Sequence, residues 1–195
     1  MNQKYKATQE DRVVKQFSVT KDDSVIAFGV LDGHGGSSSV TFIMENLPAI
    51  MTKLYAEHKS DMNKYFTEAF KQANETLRNQ HFENQGACAC IALLRDEEFI
   101  STQQQEQQQQ LSSSQVRQTK RMLYVANIGD TRAVLSVGKT AVRMSKDHKA
   151  SDEDEQQRIK GAGGIIFRGR LDGVLGVTRA FGDFEFEDSV KFGNN

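Results

Sequence analysis

Four places in this 195-residue chain set an acidic side chain where a strand would begin or end: Glu10 with Asp11, Asp32 in FGVLDGHGG, Asp130 in NIGDTR and Asp183 in AFGD. Carboxylates, and the exposed backbone carbonyl that Gly33 offers, are hard oxygen donors of the kind magnesium and manganese take, while His34 beside them can move a proton. A carboxylate delivered at a strand tip is held rigidly, which such chemistry requires. Each position also has a plainer reading, because Asp-Gly is a common turn dipeptide whose glycine accepts positive φ without steric penalty. That reading is weakest for Glu10 and Asp11, which precede a strand without any glycine, and strongest for Asp183, read here as a turn or packing residue.

The elements that must position these groups can be read from periodicity. Two strands, about Arg12 to Val19 and Ser24 to Leu31, flank the turn-like KDD and form a hairpin. Val40, Ile43, Leu47, Ile50, Met51 and Leu54 recur at spacings of three and four, which predicts a helix that Pro48 bends or restarts. A second helix carries Met62, Phe66, Ala69, Phe70, Ala73 and Leu77 on one side, with Ser60 or Asp61 at its N-cap. From Gly86 the texture turns to β: GACACIALL, MLYVANIGD, RAVLSVG and TAVRMS, the last two joined by Gly138 and Lys139. Between the first two, Ser101 to Lys120 is Gln- and Ser-rich and too polar to offset its ordering entropy, which predicts a disordered insertion at 101–120 within a hairpin connection. A short acidic helix, about Asp152 to Lys160, is capped by Ser151 or Asp152 and ends at GAGG. Strands, then helices, then strands predict an α+β domain over residues 1–195, two packed sheets with helices outside.

Composition narrows the function classes. With 25 basic and 26 acidic residues the net charge is −1, so no global field directs the chain to nucleic acid or an anionic membrane. No stretch approaches the roughly 20 apolar residues that span a bilayer, and the start lacks the apolar run of a secretory signal. The expectation is a soluble monomer of the cytoplasm and/or nucleus. Cys88 and Cys90 lie two apart on one strand face and read as buried, reduced thiols.

The ordered blocks FGVLDGHGG, GACACIALL, LYVANIGDTRAVLS, SKDHKASDEDEQQRI with GAGG, and GRLDGVLGVTRAFGD resemble the metal-dependent, type 2C family of protein serine/threonine phosphatases, from about Ala7 to Asp183. The resemblance implies an antiparallel β-sandwich flanked by helices. It also implies two Mn2+ or Mg2+ ions sharing a water that attacks phosphorus in line, with phosphorylated proteins as substrates. By motif, Asp32 would bridge both metals, the Gly33 carbonyl would bind one, and Glu10 and Asp11 would hold metal-bound waters. His34 would protonate the leaving Ser or Thr oxygen, and Asp130 would help hold a third, weaker metal. His148 and Glu155 fall in a block read as structural.

Two departures qualify the resemblance. Where the family places a phosphate-gripping arginine this chain has Lys6, which keeps the charge but loses the bidentate fork. The family's two later aspartates, in Asp-Gly-x-x-Asp and Asp-Asn blocks, have no counterpart before the chain stops at VKFGNN, so the expectation is the N-terminal two thirds of a phosphatase-like domain. The alternative to an enzyme is a catalytically inactive relative that binds or regulates a partner.

Overall fold

The computed structural model describes residues 9–107 and 110–186. Lys6 lies outside them. The element order is β1 (Asp11–Ser18), β2 (Val25–His34), α1 (Ser38–His58), α2 (Met62–Arg78), β3 (Gly86–Gln107), β4 (Gln110–Ile128), β5 (Val134–Val137), β6 (Thr140–Arg143), α3 (Glu153–Gly161), β7 (Ile166–Phe167), β8 (Arg170–Leu171) and β9 (Phe181–Gly182). Phe184–Phe186 adds a 3-10 turn.

Strands β1 to β4 form an antiparallel sheet in sequence order. Strand β4 ends at Ile128 opposite Ala89, and β9 continues on β3 by pairing Phe181 with Ala87 and Gly182 with Gly86. A segment from far along the chain therefore completes the sheet beside the end of β2. The pairs β5–β6 and β7–β8 are separate two-stranded hairpins.

Alternation along β2 and β3 explains which face is covered. Ala27, Leu31, Ile91 and Leu93 are fully or almost fully buried and pack in one core with Val40, Ile43, Leu47 and Met51 of α1 and Tyr65, Ala69 and Leu77 of α2. On the other face Val13, Phe28 and Val30 are at least 40% exposed. The Asp61 side chain caps α2 by accepting from the Lys64 amide, and the Asp152 side chain caps α3 by accepting from Asp154 and Glu155. Among the described residues no helix is long and apolar enough to cross a membrane.

Two expectations need correction. Helix α1 does not restart at Pro48 but runs through it as one element, because apolar residues on both sides, Leu47 and Met51 among them, are buried in the same core. The Ser101 to Lys120 segment is paired as the outer part of the β3–β4 hairpin, with Ser101 opposite Val116 and Gln107 opposite Gln110. Ladder hydrogen bonds use backbone groups alone, so polar composition does not forbid extending a ladder already begun by GACACIALL and MLYVANI.

Candidate active site

The end of β2 brings three of the expected residues together. Asp32 is exposed, and its register partner on β1 is Asp11, so two carboxylates occupy neighbouring positions on one face of adjacent strands. Gly33 follows, buried, and its amide donates to the Glu10 carbonyl at 3.2 Å. A Cβ at Gly33 would stand 2.8 Å from both that carbonyl oxygen and Cγ1 of Val40, so the approach of β1 to the start of α1 admits only glycine here.

His34, the last residue of β2, lies with its Nε2 at 2.7 and 2.9 Å from the two carboxylate oxygens of Asp183. The Asp183 side chain is 2% exposed, and that of His34 31%. Burial works against charge on the imidazole, but the hydrogen bond and charge of Asp183, helped by Asp32 and Glu10, outweigh it and hold the pKa above its ordinary value. Asp183 is fixed from several sides. Its amide donates to the Gln85 carbonyl at 3.1 Å, the preceding Gly182 amide donates to Asn74 Oδ1 at 2.9 Å, and its own φ is +51°. Gly86 makes room for the pair, since a Cβ there would lie 2.4 Å from both His34 Nε2 and Asp183 Oδ2. Gln85 also caps α1, its Oε1 accepting from the amides of Ser38 at 3.0 Å and Ser39 at 3.3 Å.

Asp130 sits on the turn after β4. The Gly129 amide donates to His148 Nδ1 at 3.1 Å and the His148 amide donates back to the Gly129 carbonyl at 2.8 Å. The Asp130 carboxylate pairs with Lys149 at 3.0 Å. Burial above all pushes the Cys88 thiol up to about 12; a backbone hydrogen bond at Asp130 opposes this, and the charges of Asp130 and Asp32 add to it. Cys88 and Cys90 are free and buried.

Glu155 is 3% exposed and anchors this region. Its oxygens accept from Arg158 at 2.8 Å, Arg179 at 2.6 Å and the Thr178 hydroxyl at 2.7 Å. Burial alone would raise its pKa, but these donors pull it far below the usual carboxylate range. His148 is held below its ordinary value by burial and by Arg179 and Arg158.

Among the described residues no group of three or more His, Cys, Asp or Glu side chains gathers closely enough to share an ion. The Asp11 and Asp32 pair nevertheless fits the donor preference of magnesium or manganese, which commonly takes one or two carboxylates and completes its shell with water. The expected constellation is thus only partly assembled: Asp32, Asp11 and Glu10 adjoin, while Asp130 is engaged by Lys149. Asp183, one of the four strand-end acids but read from the sequence as a turn or packing residue, is the one that meets His34, 149 positions away in the chain.

The family model described as Protein phosphatase 2C matches residues 1–192. Protein phosphatase 2C homolog 1 of Saccharomyces cerevisiae is 34% identical over 196 residues, covering 99% of this chain and 66% of that protein. The Schizosaccharomyces pombe protein of the same name is 31% identical, covering 97% of this chain and 50% of that protein. A phosphatase structure from Toxoplasma gondii superposes with a TM-score of 0.73 at 25% identity, covering 93% of this chain and 60% of that one. The chain therefore spans about one half to two thirds of the length of these relatives.

Proposed function

The chain belongs to the protein phosphatase 2C family, and on that premise we propose that it is a metal-dependent protein serine/threonine phosphatase of the cytoplasm and/or nucleus. The observation that best supports this reading is the meeting, at one strand end, of the Asp32–Asp11 register pair with the His34–Asp183 pair. Asp32, Asp11, Glu10 and the Gly33 carbonyl would hold Mn2+ or Mg2+, with Asp130 contributing to a further, weaker site. Such ions supply positive charge that activates water for in-line attack on phosphorus and neutralises the phosphoryl oxygens.

The remaining steps fall to the protein. Lys6 would attract the substrate phosphate as a point charge rather than a fork. As the bond from phosphorus to the Ser or Thr oxygen breaks, the leaving oxygen takes a proton from the His34 ring. The raised imidazole pKa favours the protonated form that this step needs.

The test is phosphate release from a phosphothreonine peptide with manganese added, by the native protein and by Asp32→Ala. Release that falls by about a hundredfold or more in the variant is expected, given the electrostatic weight such ligands carry. No release from the folded native protein refutes the reading. A catalytically inactive binding domain is the second reading, favoured by the lack of a three-ligand cluster among the described residues. It predicts phosphopeptide binding without turnover.

A further inference from the structure

The contact between His34 and Asp183 engages one ring nitrogen and not the other. An imidazole has two distinct nitrogens, and the hydrogen bond made by one decides what the other carries. Here Nε2 is committed: both Asp183 oxygens lie within 2.9 Å of it. An ionised carboxylate only accepts, so Nε2 must carry a hydrogen in the neutral ring as well as in the charged one. The second proton of the imidazolium therefore resides on Nδ1.

In the native fold Asp183 is held beside the ring: its amide donates to the Gln85 carbonyl, the Gly182 amide donates to Asn74 Oδ1, and β9 is paired to β3 on the sheet that carries His34. The ring cannot flip about its Cβ–Cγ bond without exchanging the Nε2 contact for a carbon edge and leaving a 2%-exposed carboxylate without this donor. Gly86 supplies the space both groups occupy.

We propose that Asp183 is a positioning residue that locks His34 in the Nε2–H tautomer and thereby makes Nδ1 the atom that gives its proton to the leaving oxygen. The proton transfer rests on the phosphatase reading above; the tautomer does not. In the step itself the bond from phosphorus to the substrate oxygen breaks, that oxygen takes the Nδ1 proton, and the ring is left neutral with its hydrogen on Nε2.

Two measurements on the full chain separate the parts. Nitrogen-15 correlation spectra of the imidazole rings at a pH where His34 is neutral, with the signal assigned by its loss in His34→Gln, are expected to show Nε2 protonated and Nδ1 bare. An Nδ1–H ring in the native protein overturns the proposal without any variant. In Asp183→Asn, checked for folding by its amide fingerprint, the same ring is expected to become a mixture of tautomers; an unchanged tautomer overturns the role given to Asp183. The second measurement compares kcat/KM for a phosphothreonine peptide with that for p-nitrophenyl phosphate, whose leaving group needs little protonation. Asp183→Asn is expected to lower the peptide value by about a hundredfold, the lower end of what a positioned proton donor contributes, and to spare the aryl value. Equal losses on both substrates would make Asp183 merely structural and overturn its link to proton transfer. No turnover with either substrate in the native protein overturns the phosphatase reading and the Nδ1 step together, and the tautomer result still stands or falls on its own.

Discussion

Replacing Glu155 by alanine should be among the most destabilising single changes in this protein. The native carboxylate is buried and accepts six hydrogen-bond contacts from three residues: two from Arg158, three from Arg179, whose Nε–H is shared between both oxygens, and one from Thr178. Removing it leaves two guanidinium groups, only 20% and 31% exposed, without their counter-charge, and strands the Thr178 hydroxyl. Breaking one side of a buried pair costs about 3–5 kcal/mol, because the charges left behind remain desolvated. For a chain of this size that corresponds to a fall of roughly 6–20 °C in the unfolding midpoint. Urea unfolding at pH 7, followed by far-UV circular dichroism, reads the loss directly, and Glu155→Gln should fall between the two because its amide keeps some of the hydrogen bonds. The pH dependence supplies a second check. Glu155 is held below its unfolded pKa, so its contribution is complete above the ordinary glutamate value of 4.5 and fades as pH falls through the depressed folded value. The gap between native protein and Glu155→Ala should therefore persist at neutral pH and narrow only in strong acid. A loss below about 1 kcal/mol at pH 7, the range of an exposed pair, would refute this account of the cluster.

Other outcomes follow from the same geometry. Gln85→Ala removes the cap from α1, whose N-cap Ser37 makes no side-chain capping bond, and should cost about 1 kcal/mol in denaturant unfolding. With its pKa pushed up to about 12, the Cys88 thiol should resist iodoacetamide at pH 8 in the native protein and react promptly in denaturant, as read by mass spectrometry. Fast native labelling of Cys88 would show that the β3 face is open to solvent.

The parts of the fold legible in the sequence are those set by local period. The stripe from Val40 to Leu54 and that from Met62 to Leu77 gave both long helices, and Asp61 capped the second because its carboxylate can reach an amide three residues on. The β3–β4 pair was recognised from its apolar halves, yet its outer part was read as disordered, since side-chain polarity says nothing about backbone groups extending an established ladder. At the site, Asp32, Gly33 and His34 stood out because they share one turn-like stretch. Asp183 was visible only as a turn-type acid, because its contact with His34 arises only when β9 returns to β3. Lys149 opposite Asp130 was equally invisible, as it depends on how the segment after β6 folds back.

The shortness of β9 has a consequence for how long the site persists. Ten register pairs join β2 to β3, whereas two join β9 to it, and the Gly182 bond to Asn74, the Asp183 amide bond to Gln85 and the buried Phe181 ring supply much of the remaining anchorage. Local opening free energies scale with such support, so this small strand sits near the low end and the sheet beneath it near the high end. His34 is thus carried by an extensively paired strand and Asp183 follows a briefly paired one. An opening confined to β9 would part Asp183 from the imidazole while β1 to β4 stay paired, so the persistence of this contact is set by the small strand rather than by the whole sheet.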